Sequence, residues 1–76
     1  MTQADVVSCE VSAPADRVGD VMAELFRIGG QIQDMQHQDL RTLLRVGIPP
    51  DNVILFEKWL AKEFHGTATS TLLPIN

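Results

Sequence analysis

Apolar side chains in this chain switch between every second residue and every third or fourth, and the order of the switches constrains the fold more than any other feature. Over residues 6–12, Val7, Cys9 and Val11 alternate with Ser8, Glu10 and Ser12, the period of a strand with one buried face. Pro14 then presets a turn or a first helical position. Val18, Val21, Met22, Leu25 and Phe26 follow at i, i+3, i+4, i+7 and i+8, which predicts an amphipathic helix over about 15–28 with those residues inward. Gly29 and Gly30 supply the left-handed backbone that commonly ends a helix. Residues 32–38 are polar and alternate poorly, so they read as a strand at a sheet edge. Asp39 and Leu40 make a turn into 41–48, where Thr42, Leu44, Val46 and Ile48 face one way and Arg41, Leu43 and Arg45 the other. Pro49 and Pro50 cannot extend a hydrogen-bonded ladder, and Asp51 or Asn52 can cap the next helix, whose inner stripe is Val53, Phe56, Leu60 and Phe64. Gly66 ends it, and the β-branched run over 67–73 predicts a last strand.

The resulting order, βαββαβ, consists of two βαβ-type halves joined by a hairpin. That is the α+β, ferredoxin-like split βαβ sandwich, a four-stranded antiparallel sheet with two helices on one face. The first and third strands are expected at its centre, with Ser8, Glu10, Arg41, Leu43 and Arg45 on the outer face. At 76 residues the whole of 1–76 reads as a single domain with one core and no room for a cleft between lobes.

Charge and composition narrow the function classes. Six Lys and Arg stand against ten Asp and Glu, a net charge of -4, which opposes free-standing affinity for a phosphate backbone. The one cysteine, Cys9, is expected to be a buried thiol in the first strand, and its solitude suits a reducing compartment. No apolar run approaches the roughly 18 residues of a membrane span, and the first residues lack a signal-peptide pattern, so the expectation is a cytoplasmic protein with no membrane partner.

Candidate chemistry is sparse. Gly19-Asp20 resembles a phosphate-binding turn, but the apolar stripe places it inside the first helix, where its N–H groups are already engaged, and no GxxxxGK[ST] motif occurs. Gly19 is expected to let that helix approach a neighbouring backbone closely. His37 and His65 have no thiolates or carboxylates at metal-ligand spacing, so no metal is expected. Asp16, Asp20 and Glu24 recur at i, i+4 and i+8 and read as a solvated helix face rather than an acid–base pair. The element order is shared with RNA-recognition domains, yet Phe26, Phe56, Trp59 and Phe64 all fall on helices, leaving no base-stacking platform on the sheet. Arg41 and Arg45 could touch phosphate, and cross-strand pairing with Glu10 is the simpler role. Leu55 and Trp59 flank the inner stripe of the second helix, as either a widened core face or a partner surface.

Taken together, Pro14, Gly19-Asp20-Val21, Leu25, Gly30, Ile32, Met35, Arg45, Ile48, Pro49, Leu60 and Gly66 resemble, over nearly the entire chain, the C-terminal domain of elongation factor G and related translational GTPases. The family's second helix commonly opens with an aromatic and a Gly-Tyr pair and ends in Gln-Gly-Arg, where this chain has Ile54-Leu55-Phe56 and His65-Gly66-Thr67. The resemblance implies the same split βαβ fold. It also implies a non-enzymatic module without its own GTP site or cofactor, docking at the ribosome's GTPase-associated region near the stalk base and the sarcin-ricin loop, or on a protein partner. Candidate contacts, chosen on charge and exposure, are Arg17, Arg27, Lys58 and Lys62 on the helical surfaces and His65 beyond the second helix. A weaker likeness is to the C-terminal domain of the IMPACT-like family. Another is to ligand-sensing ACT domains, whose Asp-Arg-x-Gly opening occurs as Asp16-Arg17-Val18-Gly19; that alternative implies a regulatory homodimer.

Overall fold

Strand β1 (Val7–Pro14) leads through a 3-10 turn (Ala15–Arg17) into helix α1 (Val18–Arg27), followed by strands β2 (Gln31–Gln38) and β3 (Arg41–Ile48). A second 3-10 turn (Pro50–Asn52) opens helix α2 (Val53–Phe64), and β4 (Thr69–Leu72) closes the sequence of elements. The computed structural model describes residues 6–73. The sheet is antiparallel throughout, in the order β2-β3-β1-β4, so the first and third strands are central as expected. Cys9, Val11, Ala13, Leu44, Val46 and Ile48 are buried on one face under Val21, Leu25, Phe56, Leu60 and Phe64. Both helices therefore cover the same face, and the architecture is the ferredoxin-like one.

β2 alternates poorly for a specific reason. Ile32 pairs with Val46 and Asp34 with Arg45, so one extra residue, Gln33, is accommodated at a β-bulge. The bulge resets the phase, so that Ile32 and Met35, three apart, both pack against the core. The hairpin that follows needs a left-handed residue and finds it in Asp39, at φ 56°, a conformation Asp tolerates better than most residues. The next carbonyl, that of Leu40, accepts a hydrogen bond from the Ala15 N–H at 2.8 Å, tying the hairpin tip to the start of the first crossover.

α1 ends in a complete Schellman motif: Gly30 N–H donates to Leu25 O at 2.7 Å, Gly29 N–H to Phe26 O at 3.3 Å, and Gly29 has φ 80°. Asn52 Nδ2 then donates to Ile28 O at 2.9 Å, joining the end of α1 to the start of α2. At the opposite end, the Arg17 guanidinium lies 4.5 Å over the Phe64 ring. The helices thus run antiparallel, side by side.

Several expectations are corrected. Phe26 is 62% exposed, and Ile28 takes its place in the core, because α1 is rotated so that Val18, Val21, Leu25 and Ile28 face the sheet. Glu24 is buried rather than solvated: Arg27 folds back on it, Nε to Oε1 at 2.9 Å, closing a two-pronged pair. A Cβ built on Gly19 meets nothing within 4 Å, so this glycine allows no close approach. That role belongs to Gly30, where a Cβ would lie 3.0 Å from Leu25 Cδ2 and 3.2 Å from the Gly47 carbonyl. The last strand is shorter than the β-branched run suggests, and helix α2 ends at Phe64, capped by His65, which itself adopts the left-handed conformation (φ 50°) before Gly66.

Candidate functional site

The outward side of α2 brings together what a partner could recognise. Its inward residues, Val53, Phe56, Leu60 and Phe64, are buried, so the 3.6-residue period turns Ile54, Leu55, Lys58 and Lys62 to water. Ile54 and Leu55 are 63% and 59% exposed, large values for branched apolar residues on one turn. Lys58 and Lys62, one turn apart, enter no ion pair among the described residues. Trp59 is half-buried: its ring stacks on Phe56 at 6.0 Å and meets Phe64 edge-on at 5.8 Å, so it stiffens the helix from within while Leu55 remains outside.

The other predicted contacts are distributed differently. Arg17 is half-buried between the Phe64 ring and Asp20, to which its Nε donates at 2.8 Å. Arg27 is engaged by Glu24, and the hydrogen bonds between them hold the Glu24 carboxyl below its ordinary range and the guanidinium above its own. His65 is exposed at the helix end, beside the lysine-bearing face. Neither arginine joins Lys58 and Lys62 as a free cation.

On the outer sheet face, Arg45 stands in register with Glu10 on one side and Asp34 on the other, as cross-strand pairing predicts for Glu10. Arg41 does something the sequence did not suggest. Its Nε donates to Ser12 Oγ at 2.9 Å and its Nη2 to the carbonyls of Ser12 and Thr67 at 3.1 and 2.7 Å, clamping the α2–β4 connection to β1. His37 is exposed, yet its Nδ1 lies 2.9 Å from the hydroxyl of the fully buried Thr42, a cross-strand pair visible only once register is known. Cys9 is buried as expected, and burial, followed by the nearby Glu57 charge, pushes its thiol up and away from reactivity.

Residues 6–75 match the family described as the elongation factor G C-terminus. The chain belongs to this family. The family's domain is a non-catalytic C-terminal part of a translation factor. Two solved structures resemble it closely. One, described as the crystal structure of a hypothetical protein, superposes with a TM-score of 0.85 at 21% identity, over 95% of this chain and 34% of its own, and shows the fold alone. The other, from Thermus thermophilus, has a TM-score of 0.80 at 27% identity, over 93% of this chain and 11% of its own. The chain therefore spans only a minor share of either protein's length. No curated protein sequence matches it significantly.

Within the elongation factor G C-terminal family, the positions that carried the resemblance are largely scaffold: Val21, Leu25, Ile48 and Leu60 are buried, and Gly30 sits in the Schellman turn. The outward residues of α2 are not among them. Family membership and the candidate contact face thus rest on different residues.

Proposed function

We propose that this domain is a non-catalytic, ribosome-binding module of translation-factor type, with no GTP site of its own, and that the outward side of α2 makes the contact. The observation that carries this is the pairing of exposed Ile54 and Leu55 with Lys58 and Lys62, cations left without an internal partner among the described residues. Ribosomal RNA offers phosphates to lysines, and ribosomal protein offers apolar surface to the two aliphatic side chains. A net charge of -4 makes such binding depend on this local face rather than on bulk attraction. The surroundings are the cytoplasm, where ribosomes act.

Cosedimentation with purified ribosomes at low and at physiological salt is the test. Binding is expected at low salt, weaker at physiological salt, and abolished in the double variant Lys58→Glu/Lys62→Glu, whose stability should stay within about 0.5 kcal/mol of the parent. Absence of cosedimentation at both salts would remove the reading.

A further inference from the structure

The exposed sides of the two helices are complementary to each other, though they cannot meet within one chain. α1 turns Asp20 and, at its far end, Phe26 to water; α2 turns Ile54 to water at its start and Lys58 and Lys62 further on. The two contacts that bind the helices side by side set their relative level. Arg17 lies over Phe64 at one end, and Asn52 reaches Ile28 at the other. By that offset, Phe26 lies level with Ile54, and Asp20 lies level with the Lys58–Lys62 turn. One end of the helix layer exposes a large apolar residue on each helix, Phe26 beside the Glu24-bound Arg27 on α1 and Ile54 on α2. The other sets Asp20, which holds Arg17, level with Lys58 and Lys62 on α2, where Glu63 is exposed as well.

A two-fold axis parallel to the helices, lying in the plane of their outer surface, seats α1 of one copy antiparallel on α2 of the other without changing these levels. From this geometry we infer that two copies of the chain associate through the helix layer, with Asp20 against the partner copy's lysine turn and Phe26 against its Ile54. The contact is isologous, so each match is made twice. Asp20 and both lysines are exposed; Asp20 accepts from Arg17 through one carboxylate oxygen, Oδ2, leaving the other free. Gly19 and Ala23, exposed on the same side of α1, present little bulk and let the helices come close. Helices of ten and twelve residues are roughly 15–18 Å long, a small face that makes the dimer weak and concentration-dependent. It covers Lys58 and Lys62, so the dimer and the ribosome-bound form exclude one another; the dimer itself stands whether or not the ribosomal reading does.

Sedimentation equilibrium of the full chain, without ribosomes, is the test. The mass should rise from 8.4 kDa toward twice that value as concentration increases into the millimolar range. Asp20→Lys and Lys58→Asp, each alone, set like charges against each other across the axis and should weaken association by about tenfold. An equimolar mixture of the two variants restores both pairs in the mixed dimer, and its association should return to within about twofold of the parent. Circular dichroism of each variant checks that the fold is kept. A monomer at every concentration, or an association that the reversals leave unchanged or that mixing fails to restore, would overturn the inference. Cosedimentation with ribosomes is measured separately, so loss of one result leaves the other standing.

Discussion

α1 and α2 bury equivalent stripes and show water opposite surfaces. Inward, Val18, Val21 and Leu25 on one and Val53, Phe56 and Leu60 on the other meet the same sheet face. Outward, the carboxylates of α1 hold cations, Asp20 that of Arg17 just before the helix and Glu24 that of Arg27, whereas α2 leaves Lys58 and Lys62 without an ion pair among the described residues beside two exposed aliphatic side chains. Inward residues are chosen by a common requirement, the filling of one core at crystal-like density. Outward residues are free to differ, and where they differ the candidate contact lies.

The equivalence of the inner faces is broken most severely by truncation. Phe56→Ala is expected to cost about 3–5 kcal/mol and Leu25→Ala about 2–5 kcal/mol, because both side chains are fully buried and truncation removes their burial and leaves a cavity. Urea denaturation measures both; a loss under about 1 kcal/mol in either helix would mean that its inner stripe is not part of the common core.

Two glycines sharpen the comparison within α1 and its cap. Gly30→Ala should destabilise by about 1–3 kcal/mol, since the new methyl would press on the Leu25 side chain and on backbone carbonyls of residues 25 and 47. Gly19→Ala, with open space around it, should stabilise by about 0.5 kcal/mol through reduced chain entropy. Thermal melts that give the two substitutions the same sign would contradict the assignment of close approach to Gly30.

The smallest expected effect concerns charge. Arg27 hydrogen-bonds the Glu24 carboxylate and lowers its affinity for a proton in the folded state relative to the ordinary value of 4.5. The unfolded chain then binds the proton more readily, so this contribution is fully present above about pH 4.5 and is lost as pH falls through the lower folded value. A plot of Tm against pH should therefore have a shallower acid limb in Glu24→Gln than in the parent. An unchanged limb would show that the pair on α1 is as inconsequential as an ordinary surface ion pair.

Much of the fold was legible because it is written in period. β3 matches its expected span of 41–48, and β1 alternates as read, since a central strand is buried on one face along its whole length and its pattern has no freedom. β2 was legible only as an irregular edge, since the bulge at Gln33 depends on pairing with β3. Phe26 was misplaced for a related reason. α1 carries more apolar residues than one stripe needs, and the choice between Phe26 and Ile28 is made by the sheet and α2 together. In the candidate site, Lys58, Lys62 and Leu55 could be read from helix period alone. The internal engagement of Arg17 could not, because its ring partner, Phe64, lies far away in sequence.

The sequence by itself determined the order of elements, the buried faces of the central strands and the family, because each is carried by local spacing that every copy of the fold must satisfy. Only the tertiary structure decided how α1 is rotated, which cations remain free and how acid, base and apolar groups line up across the helix layer. Those depend on which surfaces come within a few ångströms of each other, and spacing along a chain does not contain that information.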